Sequence, residues 1–389
     1  MSSNPPRDAV DRTHPARGTR GLLRLWPAAL LIAAAAVPFG SFPLPGLLAG
    51  PVGSPGNLQL LALCLLFGAL ATGYDLLLGR TGLLSFGHVL YFAFGAYATN
   101  TVMLEAHLPF PVAALIGVLA GTALSAVLGA VSLRVSGIGF SMVTLAFAQA
   151  FSIVVSRDPG GLTGGEEGRA APAGLLPGGF VGIDHTADLY WLALGCLLLT
   201  LGVSAWALRS PLGRVWDGIS QNEQRVEVLG LRPYGFKLTA FVIAGALAAF
   251  AGTVHLLLTG GATPGTTTTD FSLSLLVMVV LGGSGSRWGP MIGGILYTWA
   301  DQRLSDVAGS GAVASLPGVL RVPLSQPLFL LGALFVVIVA VLPGGLARLP
   351  ARIAVVRRGR TVRTEPPPDA PPAAQGAVGT ARAGDRHGA

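Results

Sequence analysis

Charge is scarce in this chain: Asp, Glu, Lys and Arg make up 11% of its 389 residues, while hydrophobic residues make up 52%. Soluble domains carry roughly one quarter charged residues. No stretch has the mixed polarity of such a domain, so the sequence reads as a single all-α polytopic integral membrane domain. Lysine is nearly absent. Lys237 stands alone and follows no glycine pattern of a phosphate-binding loop, which excludes nucleotide hydrolysis through a loop of that kind. The two cysteines, Cys64 and Cys196, sit in different apolar runs and read as packing residues rather than a disulfide. Cysteine and histidine are too scattered to hold a metal at recognisable spacing, so no metal is expected. A net charge of +7 does not point to nucleic acid, because the arginines gather at the termini and between apolar runs. Membrane topology accounts for that distribution.

Long apolar runs dominate what is present. A span needs about 20 apolar residues, and ten candidates lie near 22 to 39, 57 to 78, 82 to 104, 109 to 133, 137 to 156, 187 to 208, 236 to 258, 270 to 285, 288 to 304 and 324 to 346. The eighth and ninth are short and broken by glycine, which fits half-helices or a re-entrant pair. If all ten cross, both termini are cytoplasmic, and Arg80, Arg134, the 209 to 237 segment, Arg287 and the Arg-rich tail share that side. The opposite side receives Glu105 and the 157 to 186 loop with Asp158, Glu166, Glu167 and Asp184. Three parts follow: a cytoplasmic segment over 1 to 21, a membrane domain over 22 to 346, and a tail over 347 to 389 too rich in Arg, Pro, Ala and Gly to fold. The first apolar run also has the length of a signal-peptide core, although no cleavage site stands out after it.

The segment from 209 to 237 is a charged island between two spans. Arg209, Arg214, Arg225, Arg232 and Lys237 outweigh Asp217, Glu223 and Glu227, which directs the loop to the cytoplasm. Its middle predicts a helix with Val215, Ile219, Val226 and Leu229 within one arc. Gly230 ends that helix, and Arg232-Pro233 blocks its continuation before a span that starts near Phe236. A polar loop with an apolar stripe is suited to docking a partner.

Few ionisable groups fall inside spans, and each is a functional candidate by default. Asp75 can pair with Arg80 or face a watery path, while His88 and His255 can titrate or simply pack. Ion-coupled carriers bury more charges than this near the midplane. Two glycine-rich stretches, Thr72 to Tyr97 and Val280 to Gly294, place glycines and an arginine at a membrane boundary before a helix restarts. Their layout can reflect a repeat of broken helices or chance clustering. Ala113, Gly117, Gly121, Ser125 and Gly129 recur every four residues, as do Ala240, Ala244, Ala248 and Gly252. Such smooth faces permit close helix contact or line a path.

Four stretches in order resemble the membrane subunit of binding-protein-dependent ABC importers of the branched-chain amino acid type, over about residues 57 to 346. Gly79 to His88 is similar to that family's GxxGLLSxGH region, Gly161 to Gly168 to its outer GLTGG turn, and Leu281 to Pro290 to its LGGxGSxxGP element. Gly213 to Leu231 resembles its coupling loop, with Glu223, Glu227 and Gly230 matching. Asp75 stands where the family usually has Asn, Gln221 where the loop usually has Arg, and Glu166-Glu167 where relatives have small or amide residues.

The resemblance implies a permease subunit, not an enzyme, forming half of an ATP-driven import path in a bacterial plasma membrane. Branched-chain amino acids are the leading solutes, with other amino acids, urea and short amides as relatives' cargoes. Expected partners are two ABC ATPase subunits, a second permease, an extracytoplasmic solute-binding protein and the bilayer. ATP is used by the partners, and no cofactor is expected on this chain. Arg214, Glu223, Arg225, Glu227 and Gly230 are the expected coupling residues, and Asp75, Ser85, His88 and Thr163 the path residues. The alternatives are an ion-coupled secondary transporter or channel working without ATPase subunits, and a membrane scaffold.

Overall fold

The computed structural model describes residues 36–39, 50–180 and 185–308, with isolated further positions between 326 and 348. The expected segment 1 to 21, nearly all of the first apolar run, most of the tenth and nearly all of the tail lie outside the described residues.

Helices account for most of the described chain. They are α1 (Pro55–Leu78), α2 (His88–Ala106), α3 (Phe110–Ser132), α4 (Ile138–Arg157), α5 (Thr186–Arg209), α6 (Pro211–Gln221), α7 (Glu223–Val228), α8 (Pro233–Thr259), α9 (Thr269–Gly282) and α10 (Gly289–Ala308). Among the described residues α1, α3, α4, α5 and α8 are long and apolar enough to cross a membrane. Their boundaries follow local chemistry. Proline at the first or second helical position opens α1, α3, α6 and α8, where a missing N–H costs nothing. Two strands of two residues, β1 (Arg169–Ala170) and β2 (Gly261–Ala262), pair antiparallel with Arg169 opposite Ala262.

The third expected span is shorter than its apolar run. Residues 82 to 87 are not helical, and α2 starts at His88. The reason is a set of hydrogen bonds that capture the 84 to 86 backbone before a helix can form. The Tyr74 hydroxyl donates to the Ser85 carbonyl at 2.8 Å, the Ser141 hydroxyl to the Leu84 carbonyl at 2.7 Å, and the Phe86 N–H donates to Thr144 Oγ1 at 3.2 Å.

Helices α1 and α8 form the buried centre. Helix α1 packs on α5, α8 and α10, while α2 and α3 pack on α8 and on each other. The small-residue stripes are the seams of that packing. On α3 the buried residues are Ala113, Gly117, Gly121, Ser125, Gly129 and Ser132. A Cβ at Gly121 would come within 2.6 Å of the Ala249 Cβ, and one at Gly245 within 2.4 Å of the Ser125 Cβ. Packing within the chain, not a path, explains the stripes.

Helix α9 covers only about 21 Å at 1.5 Å per residue. It still links the two ends of the bundle, because the 264–268 turn before it is sunk among α4 side chains, with Thr266 and Thr267 buried. Its other end leads to a glycine turn that meets the first glycine-rich stretch. Asp75 Oδ1 accepts from the Gly285 N–H at 2.8 Å, and a Cβ at Gly79 would fall 2.2 Å from the Gly285 nitrogen. The two glycine-rich stretches therefore clasp each other at one end of the bundle.

Candidate functional site

That end also carries the charged island. Arg80 Nη1 lies 3.7 Å from Asp217 Oδ1 on α6. A polar cavity of about 240 Å³ is lined by Thr81, Arg134, Ser136, Ser220, Glu223 and Lys237 among others. Thus Arg80, Arg134, the island and the turn bearing Arg287 converge at one end. At the other, Arg169 bonds Glu105 at 3.0 Å, and the Thr101 hydroxyl donates to the Leu162 carbonyl at 3.3 Å. We call these the basic and acidic ends.

The island is two helices, where its periodicity predicts one. Asn222 breaks it, leaving helical geometry so that its side chain accepts from the Arg225 N–H at 3.1 Å and caps α7. The break shifts the register, so the expected arc of Val215, Ile219, Val226 and Leu229 does not form. Trp216, Ile219 and Val226 are buried, Val215 is half-buried, and Leu229 is 77% exposed beside Val228 at 87%. Trp216 is the residue that sequence reasoning missed. It is fully buried and its indole N–H donates to the Phe236 carbonyl at 2.8 Å, anchoring α6 to the start of α8. Its size and its position three residues before Ile219 were the available signal.

Gly230 does end the segment. Its φ of +81° is open to glycine, its N–H donates to the Glu227 carbonyl at 2.9 Å, and the Leu231 N–H reaches the Val226 carbonyl at 3.3 Å. The five expected coupling residues then separate. Glu223 is held within the chain by Lys237, at the foot of α8. Arg214, Arg225 and Glu227 are exposed, and among the described residues none has an ion-pair partner in this chain. Arg225 and Glu227 form a charged rim around the apolar tip of Val228 and Leu229. Asn222, Gln224, Arg225, Val228 and Leu229 line an open groove of about 510 Å³ there.

The expected path residues also separate. Asp75, Ser85 and His88 lie toward the basic end, each no more than 5% exposed. The Asp75 carboxylate accepts from the Gly285 N–H, and the Arg80 N–H donates to the Asp75 carbonyl at 3.1 Å while its guanidinium lies toward Asp217. The His88 ring packs against Tyr74 at 5.0 Å between centroids and against Tyr91 at 6.3 Å. Neither of its nitrogens has a hydrogen-bond partner, and neither has Ser85 Oγ. Thr163 belongs to the acidic end. Its hydroxyl donates to the Val155 carbonyl at 2.8 Å and to Asp158 Oδ1 at 3.0 Å, while its N–H donates to that carboxylate at 2.7 Å. Those bonds hold the Asp158 carboxyl below the usual carboxylate range, the Thr163 N–H contributing most. Thr163 thus closes its own loop.

Comparison with known proteins bears on the whole of this bundle. The family described as branched-chain amino acid transport system, permease component, matches residues 57–342. The chain is similar to the high-affinity branched-chain amino acid transport system permease protein LivM of Escherichia coli K12, 31% identical over 309 residues that cover 73% of this chain and 69% of that protein. It is 30% identical to the protein of the same name from Salmonella typhimurium, with the same coverage of each chain. It is 26% identical to the permease protein BraD of Pseudomonas aeruginosa over 258 residues, 62% of this chain and 83% of that one. No solved structure matches the chain.

Proposed function

We propose, from the premise that the chain belongs to the family of branched-chain amino acid transport permease components, that it forms half of the translocation path of an ATP-driven importer for branched-chain amino acids. As a permease of that ABC family it is a multi-pass membrane protein that works with ATPase and binding-protein partners. In our reading a second permease completes the path, two ATPase subunits dock at the basic end, and that end faces the cytoplasm. The chain itself holds no nucleotide and no cofactor. ATP is bound and consumed by the partner subunits.

One observation supports the docking assignment above the rest: α7 ends in an apolar tip, Val228 and Leu229, that is exposed beside the unpaired charges of Arg225 and Glu227. Exposed apolar side chains rimmed by charge mark protein interaction surfaces. Helix α7 is capped by Asn222 and pinned to the bundle by buried Val226 and by the Glu223–Lys237 pair, so a push on its tip passes to α8. The middle of α6 is fixed to the start of α8 through Trp216. Rigid fastening on one side and an open apolar tip on the other suit an element that transmits motion.

The test is co-purification of ATPase subunits with Leu229→Asp and Glu227→Arg variants of the tagged chain. Loss of the ATPase from a complex that still contains the second permease is expected for Leu229→Asp, with a weaker loss for Glu227→Arg. Wild-type association and transport in both variants would remove the docking role from α7.

A further inference from the structure

Helix α4 is an apolar span with a polar seam on one face. Ser141, Thr144 and Ser152 fall in one arc of the helix with Ala148 and Val155, and Gln149 flanks it. Every polar group of that seam meets the bundle through a hydrogen bond. Ser141 donates to the Leu84 carbonyl at 2.7 Å, Thr144 Oγ1 accepts from the Phe86 N–H at 3.2 Å, Thr267 bonds Ser152 at 3.1 Å, and Gln149 bonds Thr269. The seam runs from the 84–86 loop at the basic end to the threonine turn at the acidic end. The outer face of α4, with Met142, Ile153 and Val154 exposed, is apolar. A polar solute has no partners on that face and a row of them on the inner one.

Directly behind the seam lies the start of α2. Gly87 touches Thr144 so closely that a Cβ there would come within 2.6 Å of the Thr144 carbonyl oxygen. On either side of Phe86 and Gly87 stand Ser85 and His88, 2% and 1% exposed, whose Oγ, Nδ1 and Nε2 have no hydrogen-bond partner, the His88 ring packing on Tyr74 and Tyr91. Buried polar side chains without partners are rare, and each calls for an explanation. In a membrane span such groups face a substrate path more often than lipid.

We infer that α4 is a movable wall of the solute path, and that Ser85 and His88 at the start of α2 are hydrogen-bonding contacts for a neutral, zwitterionic amino acid passing behind it. The groups named along the seam are hydroxyls, one amide and one imidazole, with no carboxylate or ammonium among them. That set suits a solute of zero net charge whose ends need hydrogen bonds. The N-terminal end of α2 adds the partial positive charge that favours a carboxylate. Opening the seam exchanges a few hydroxyl bonds for bonds to solute and water, a small rearrangement compared with parting a close-packed glycine seam. This inference rests on the amino acid import reading above.

The test uses the complete transporter with its ATPases and binding protein. Ser152→Cys with Thr267→Cys joins α4 to the threonine turn by a disulfide, since the two parent oxygens already lie 3.1 Å apart. Cross-linking is expected to lower leucine uptake at least about tenfold and reduction to restore it, with the ATPases still bound. Unchanged uptake in the cross-linked complex overturns the movable wall. Should the cross-link not form, Ser85→Cys is probed with a small methanethiosulfonate, against the background of the natural buried Cys64 and Cys196. Labelling during turnover with ATP and leucine-loaded binding protein is expected to exceed resting labelling by at least about fivefold. Equal labelling in the two conditions overturns it as well. His88→Phe keeps an aromatic side chain and removes both nitrogens, and transport per ATP hydrolysed is expected to fall about tenfold. Wild-type efficiency overturns the contact role. Loss of ATPase association in any variant reports on the docking reading instead.

Discussion

Helices α3 and α4 are neighbours of similar length and hydropathy, each with 28% of its most apolar stretch buried, yet they are fastened by different physics. Helix α3 presents glycine and serine to backbone and aromatic surfaces at distances that leave no room for a side chain, as at Gly117, Gly121 and Gly129. Its hold is close packing, which falls off within a fraction of an ångström. Helix α4 meets one glycine closely, Gly87 at the Thr144 carbonyl, and otherwise presents hydroxyls and an amide to loop backbone and threonines. Its hold is a handful of hydrogen bonds, each worth about 1 kcal/mol net and each able to re-form with water or solute. Two spans with one hydropathy profile can therefore be a fixed wall and a moving one. The distinction lies in which residue types occupy the buried arc.

The comparison predicts unequal responses to side-chain volume and to hydrogen-bond loss, and the largest effect falls on α3. Gly121→Leu must displace α8, because even a Cβ there sits 2.6 Å from the Ala249 Cβ. A loss of about 3 kcal/mol or more is expected, seen as a fall in folded yield from membranes and in melting temperature in detergent. An unchanged melting temperature would mean that α3 is not held by close packing.

An intermediate effect is expected on α4. Thr144→Val keeps the volume and leaves the Phe86 N–H without its acceptor. Overall folding should survive, since the bundle centre is untouched. Hydrogen exchange of the amides from Leu84 to His88 should rise about tenfold, equivalent to about 1.4 kcal/mol of local opening. Exchange that stays at wild-type rates, or a collapse of the whole fold, would erase the difference between the two helices.

Much of this architecture was legible in the sequence. The spans near 57 to 78, 109 to 133, 137 to 156, 187 to 208 and 236 to 258 emerge within a few residues of their predicted limits. Their ends carry proline, glycine or arginine, which act locally. The four-residue stripe on α3 was legible for the same reason, because a helix face is a local property. Three features escaped. The 82 to 87 stretch is apolar enough for a helix and is kept out of one by Tyr74, Ser141 and Thr144, two of them more than fifty residues away in sequence. The break at Asn222 turns on one capping bond that competes with a good helical stripe. The seam of Ser141, Thr144, Gln149 and Ser152 had a signal, polar residues at helical spacing inside an apolar run, but its meaning depends on what stands opposite. Asp75 shows the same limit. Its charge was evident, while its partner, the Gly285 N–H, lies 210 positions along the chain.

The smallest expected effect concerns the acidic end, where α4 leaves the membrane. Asp158 sits at a left-handed φ of +46°, a conformation aspartate tolerates better than most residues, and gathers the Thr163 N–H, the Thr163 hydroxyl and the Gly164 N–H on one oxygen. Its folded pKa lies below the unfolded value of about 4. The sign follows: stability from this group is fully present above the unfolded value and is lost as pH falls through the depressed folded one. Limited proteolysis of the 158 to 168 loop should therefore be flat from neutral pH down to the ordinary carboxylate range and rise only below it. Asp158→Asn should cleave faster at neutral pH and lose that acid step, because a neutral amide makes weaker bonds to the same amides. Since Asp158 is half-buried and its carboxylate bonds only to its own loop, both changes should stay local and leave the melting temperature nearly unmoved. If instead acid loosened the loop and α4 together, the acidic-end turn would be fastening the moving wall. The hydrogen-bonded seam would then share its hold with the loop that follows it.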